Sequence, residues 1–276
     1  MNWIKRTVFI VAAAYVGLCF SACALTDQFA FYPDKNPFEM PEGISAEKIK
    51  IETPDGETLV AVYAKADPGC PTFLNFHGNA QDLRGIVSVT DFYGSRGIGF
   101  LTPAYRGYSG STGRPTERGV RIDGLAAFDA LRARGLDKTD LIIRGFSIGS
   151  SVAIGVAAER DSAALILGAP FESGTRMGQR VMPVLPMSLI AGNAFRSDRL
   201  APKVDEAVLI IHGDSDRVIP AAHSADLAHH FPKPVQRFVL KGYGHNDLLN
   251  AEYEQIVADF SAPFFPDCPS LQELAQ

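Results

Sequence analysis

From residue 48 onward the apolar positions gather into short runs separated by turns and by stretches of helical period. Lys48-Ile49-Lys50-Ile51-Glu52-Thr53 alternates polar with apolar, Pro54-Asp55-Gly56 makes a turn, and residues 58–64 alternate again, which predicts a β-hairpin. Thr72-Phe73-Leu74-Asn75-Phe76 and residues 100–105 read as further strands. Thr116 opens a helix whose Val120, Ile122, Leu125, Ala126, Phe128, Ala130 and Leu131 recur near the 3.6 period and which closes near Gly135. Leu141-Ile142-Ile143-Arg144 is an apolar strand running into a small-residue helix start, Ser150-Ser151-Val152-Ala153. Residues 164–168, 208–211 and 236–240 add three more strands. Strands that alternate with helices predict an α/β domain with a mostly parallel sheet covered on both faces.

Two stretches break this rhythm. Between residues 171 and 199 the apolar Met177, Val181, Met182, Val184, Leu185, Met187, Leu189 and Ile190 are interrupted by Pro183 and Pro186. That pattern predicts a short cap over residues 171–200 rather than a sheet-covering helix. At the other end, Lys5 and Arg6 precede an uninterrupted apolar run over residues 8–25, closed by Thr26-Asp27-Gln28. Eighteen residues of helix span about 27 Å, just under a hydrocarbon core of about 30 Å. Residues 1–28 are therefore a targeting segment. Three readings are open: a lipoprotein leader in which Phe20-Ser21-Ala22 precedes a lipidated Cys23, an uncleaved anchor, or a secretory signal. Each places the positive end in the cytoplasm and the domain outside, in the periplasm of a bacterial cell, and the first two tie it to a membrane.

Residues 29–47, with Pro33, Pro37 and Pro41 among aromatics, predict an extended connector to a domain over residues 48–276. Phe29, Phe31 and Phe38 are expected to pack on that domain or at a membrane surface. With 276 residues and 46% apolar content, the chain is long enough for one large core. A net charge of −5 without a basic cluster argues against nucleic acid as a partner. Cys19, Cys23, Cys70 and Cys268 have no metal-type spacing. A Cys70–Cys268 disulfide is open to an exported domain, but the sequence carries no distance between the two, and the expectation is that they do not pair.

The candidate chemistry lies where strands end. Gly145-Phe146-Ser147-Ile148-Gly149 sits between a strand and a helix, where a sharp turn would hold Ser147 strained and exposed at the carboxyl edge of the sheet. His77-Gly78-Asn79-Ala80 follows an earlier strand. The backbone N–H groups of Asn79 and Ile148 are the expected oxyanion donors; the His77 side chain is expected only to brace its turn. In the loop after residues 208–211 Asp216 is the expected orienting carboxylate and Asp214 the alternative. His212 reads as strand-end packing, and His223, His229 and His230 as solvated helix residues. Lys241-Gly242-Tyr243-Gly244-His245 is a tightly turned loop able to bring His245 over the serine. Arg106 and Tyr108, in a glycine-rich loop, are expected to brace it rather than touch substrate.

Together Phe76-His77-Gly78-Asn79-Ala80, Tyr105-Arg106-Gly107-Tyr108, the Ser147 pentapeptide, His212-Gly213-Asp214-Ser215-Asp216 and Gly242-Tyr243-Gly244-His245 resemble the α/β-hydrolase superfamily. Within it the chain is similar to small serine hydrolases with an N-terminal membrane tether, related to protein depalmitoylases and prolyl-aminopeptidase-like enzymes. The resemblance implies an α/β-hydrolase fold, with eight mostly parallel strands flanked by helices and a short cap. The order Ser147, Asp216, His245 is the chain order that fold uses. The expected activity is hydrolysis of carboxylic esters or thioesters through an acyl-enzyme, without metal or organic cofactor, on a small acyl-ester or lipid-like substrate. Alternatives are an aminopeptidase-like amide hydrolase, with Glu172 available to hold a substrate amine, and a catalytically idle envelope binding protein.

Overall fold

A computed structural model describes residues 3, 6–10, 13–15, 19, 31–34, 36–190 and 194–275. Cys23 and Phe29 lie outside these, so the lipidation site expected at Cys23 does too. Among the described residues no helix is long and apolar enough to cross a membrane.

The alternating runs become eight strands: β1 (Glu47–Glu52), β2 (Thr58–Ala64), β3 (Thr72–Phe76), β4 (Gly99–Pro103), β5 (Leu141–Phe146), β6 (Ala164–Gly168), β7 (Ala207–Gly213) and β8 (Gln236–Leu240). They form one sheet in the order β1-β2-β4-β3-β5-β6-β7-β8. The pairings β1 with β2 and β2 with β4 are antiparallel, and every later pairing is parallel. Register fixes where the loops fall: Phe76 pairs with Gly145, Phe146 with Gly168, Gly168 with Ile211 and Gly213 with Leu240. The segments that follow β3, β5, β6, β7 and β8 therefore leave the sheet along one carboxyl edge.

Strand residues alternate between two apolar layers, as a period of two requires. Leu74, Ile143, Leu165 and Ile210 face one layer; Phe73, Ile142, Ile166 and Leu209 face the other. The first layer is covered by α2 (Glu117–Ala133), α3 (Ile148–Ala157) and α7 (Ala222–Ala228). The second is covered by α1 (Leu83–Gly94) and α8 (Ala251–Ser261). Thr116 caps α2 by accepting the Gly119 N–H, as the sequence predicts. Among the described residues of 171–200 there are three short helices, α4 (Gly174–Val181), α5 (Met187–Ile190) and α6 (Ser197–Leu200), with Pro183 and Pro186 between the first two.

Two expectations are corrected. Cys70, just before β3, is joined to Cys268, just before the closing helix α9 (Pro269–Leu274), by a disulfide spanning 198 residues. The two cysteines meet because β3 and the C-terminal segment border the same apolar layer. His223 is buried rather than solvated. It sits on the face of α7 turned toward the cap, with Nδ1 3.9 Å from Glu172 Oε2. His229 and His230 are exposed, as expected.

Candidate active site

The turn after β5 is forced by its glycines. A Cβ on Gly149 would strike the carbonyl oxygens of Phe76 and His77, and one on Gly145 would strike the Gly149 backbone. Ser147, between them, has φ 55° and ψ −122°, outside the regions an L-residue ordinarily occupies. The surroundings hold it there: its N–H donates to Gly168 O at 2.8 Å, and the Ser150 hydroxyl donates to the same carbonyl at 3.0 Å.

Three side chains from three loops meet at this turn. His245 Nε2 lies 3.0 Å from Ser147 Oγ, and His245 Nδ1 lies 2.7 Å from Asp216 Oδ2. The other oxygen of Asp216 accepts the Val218 and Ile219 N–H groups, each at 2.8 Å. Burial works to raise the Asp216 pKa, but hydrogen bonds from His212, His245 and the Ile219 backbone outweigh it and hold the carboxyl well below its ordinary range. An ionised Asp216 only accepts, so the imidazole proton sits on Nδ1 and the Nε2 lone pair faces the serine hydroxyl. A hydroxyl so placed can give up its proton as it attacks an electrophile. Asp214, the alternative acid, is exposed and accepts the Gly242 N–H at 2.7 Å and the Ser215 hydroxyl at 2.9 Å; it shapes the loop and stands apart from His245. His212 is fully buried and bonds Ile219 O at 2.8 Å, so its packing role also fixes the Asp216 loop.

On the opposite side, His77 is buried between Tyr105 and Tyr108, with ring centroids 4.2 and 5.4 Å away. Burial pushes its pKa down to about 4, and the ring donates from Nδ1 to Gly78 O at 2.8 Å. The peptide that follows is planar and trans, so holding Gly78 O toward His77 turns the Asn79 N–H the opposite way. Gln81 Oε1 accepts the Gly78 N–H at 2.7 Å. Ile148, at the first position of α3, has an N–H without an intrahelical acceptor. Arg106 braces its loop, as expected. It binds Asp123 through Nε and Nη2 at 2.9 and 2.7 Å and Asp55 through Nη1 at 2.8 Å. Tyr108 donates to Asn79 Oδ1 at 2.8 Å.

Asn79, Ser147, Ile148 and His245 line one cavity of about 870 Å³, within the range of sites that enclose small molecules. Its wall is apolar and comes largely from the cap: Phe171, Met177, Met182, Met187, Ile190 and Phe195. Glu172, the residue available to hold a substrate amine in the aminopeptidase-like alternative, does not line it; it is buried and paired with Arg176. Glu117 lines the cavity instead and accepts the Phe195 N–H at 2.5 Å. Sequence reasoning also missed Tyr32, which lines the cavity from the connector. Among the described residues no cluster of His, Cys, Asp or Glu is arranged to hold a metal ion.

No protein-family model matches the chain. It is 35% identical over 225 residues to α/β hydrolase domain-containing protein 17B of Homo sapiens, covering 78% of this chain and 77% of that one. It is 33% identical over 227 residues to α/β hydrolase domain-containing protein 17C of Xenopus tropicalis, covering 81% and 72%. An uncharacterised protein of Mycobacterium tuberculosis is 31% identical over 245 residues, with 87% of each chain covered. An esterase from Pyrococcus furiosus superposes with a TM-score of 0.68 over 84% of this chain and 98% of its own, at 18% identity. An acetyl xylan esterase from Paenibacillus superposes with a TM-score of 0.65 over 88% and 92%, also at 18% identity. The chain belongs to the α/β-hydrolase family. Among its relatives are the α/β hydrolase domain-containing proteins 17.

Proposed function

We propose that the protein is a serine hydrolase acting on carboxylic esters or thioesters of acyl groups. The observation that carries this is the chain of contacts from Asp216 through His245 to Ser147 at the floor of an apolar cavity. Ser147 Oγ attacks the acyl carbon as its proton passes to His245 Nε2. Asp216 keeps the imidazole oriented and stabilises its charged form. The Asn79 and Ile148 N–H groups receive the oxyanion. The bond from the acyl carbon to the leaving oxygen or sulfur then breaks, and His245 returns the proton to that atom. Water repeats the attack on the acyl-enzyme, releasing the carboxylic acid and restoring the serine.

The cap wall supports an acyl chain as the group accepted, since each methylene it buries is worth about 0.8 kcal/mol. Glu117 supports a second reading, in which the carboxylate holds a substrate amine and the bond cleaved is an amide. The disulfide and the basic-then-apolar N-terminus support placement of the domain on the extracytoplasmic side, tethered through the N-terminal segment. The test is turnover of p-nitrophenyl esters from acetyl to palmitoyl, with acyl thioesters and aminoacyl amides alongside. Ester or thioester hydrolysis should fall on the order of 10⁴- to 10⁶-fold in Ser147→Ala. Activity confined to the amides would favour the second reading. Turnover that survives Ser147→Ala at the wild-type rate would remove the serine from the mechanism, whereas wild-type protein that turns over none of these substrates would favour an idle fold that binds.

A further inference from the structure

The connector does more than join two parts of the chain. Phe31 is buried, with its ring 5.9 Å from that of Phe195, which in turn lies 6.2 Å from Phe171; both partners belong to the cavity wall supplied by the cap. The next residue, Tyr32, donates its backbone N–H to Asn79 Oδ1 at 3.0 Å, the same oxygen that accepts the Tyr108 hydroxyl. Asp34 pairs with Arg84 at the start of α1, and its carbonyl accepts the Ser109 N–H at 2.7 Å. The Phe38 N–H returns to the Ser109 carbonyl at 3.2 Å, and the Leu83 N–H donates to Ser109 Oγ at 3.2 Å. Ser109 is a buried non-glycine residue at φ 48°. Such a conformation persists only where the surroundings over-determine it, and here most of those bonds come from the connector.

We propose that residues 31–34, clasped at Ser109, are a positioning strap for the oxyanion side of the site. The strap pins the carboxamide of Asn79, and so the attitude of the Asn79 backbone N–H, while Phe31 fastens the same strap to the cap. Asn79 thus has two separable duties: its N–H faces the reaction, and its side chain is the handle by which the fold holds that N–H still. Tyr32 and Phe31 act through Asn79 and the cap and take no part in bond making.

This inference rests on the serine hydrolase reading for its effect on rate, but not for the physical coupling, and the two are measured separately in the full-length protein. For rate, Tyr108→Phe should lower kcat for p-nitrophenyl acetate about fivefold and Asn79→Ala about 10- to 100-fold, each with KM changed less than about twofold. The double variant should be no slower than Asn79→Ala alone, because both act through one oxygen. Phe31→Ala should lower kcat about tenfold. For coupling, amide exchange across residues 77–82 should quicken about tenfold or more in Phe31→Ala, with residues 141–146 unchanged. Unchanged exchange at 77–82 in Phe31→Ala, or a kcat of Phe31→Ala equal to that of an active wild type, would overturn the strap. Wild-type protein without hydrolytic turnover, together with faster exchange in Phe31→Ala, would sink the hydrolase reading and still support the strap.

Discussion

The carboxyl rim of the sheet and the cap that overhangs it follow opposite rules of construction. At the rim, position is over-determined. Both Asp216 oxygens are engaged, Ser147 is held at a positive φ by the Gly168 carbonyl, and Ala169 beside it, also at a positive φ, donates to Ile211 O at 2.9 Å. In the cap, three short helices follow one another, the first two separated by Pro183 and Pro186, and the cavity wall is supplied by Met177, Met182, Met187 and Ile190. Methionine side chains are unbranched and adapt to irregular shapes. The side chains at the rim are thus fixed by the fold, whereas the shape of the cavity beside them is left to an adaptable wall, which on the proposed reading sets the acyl group accepted.

The largest effect is expected at the acid. Asp216→Ala should lower kcat/KM on the order of 10⁴-fold, because it leaves His245 without its orienting partner. Asp214→Ala should change it less than about threefold, since that carboxylate is exposed and bonds only its own turn and the Gly242 N–H. A larger loss at Asp214, measured by ester hydrolysis, would exchange the two roles. A smaller effect lies away from the rim. Cys268→Ser should cost about 2 to 5 kcal/mol in urea unfolding by opening a loop of 198 residues, yet leave kcat of the folded protein near wild type. A loss of kcat equal to that of the rim variants would show that the rim depends on the distant crosslink.

The smallest effects belong to the cap. For wild type, kcat/KM should rise about fourfold per added methylene until the cavity is filled. Met177→Trp should move that plateau to shorter chains while changing the acetyl ester rate less than about threefold. An acetyl rate that falls in step with the long-chain rates would show that cap and rim are one unit.

What was legible in the sequence follows the same division. Ser147, Asp216 and His245 could be found because each turn needs glycine or a carboxylate at a fixed place after a strand, and those requirements leave marks in the letters. The strap left only its aromatic residue, Phe31, expected to pack on the domain or at a membrane surface and found buried; its hold on Asn79 is a backbone N–H of Tyr32, which any residue but proline supplies. His223 was misread because the cap segment that buries it approaches from residues 171–200, and a short helix carries no sign of what lies over it. The Cys70–Cys268 pairing could be named but not decided, since it depends on where two segments nearly 200 residues apart meet in the folded chain. Helix α1 escaped because Val87, Val89 and Thr90 favour strands and Gly85 weakens a helix, so tertiary packing through Leu83, Ile86 and Tyr93 decides its form.

The most direct test of the account is covalent labelling of the folded protein by a fluorophosphonate, read by intact mass and peptide mapping. A single adduct carried by Ser147 is expected, absent in Ser147→Ala and formed far more slowly in His245→Ala. Wild-type protein that stays unmodified, or an adduct on another residue, would contradict it.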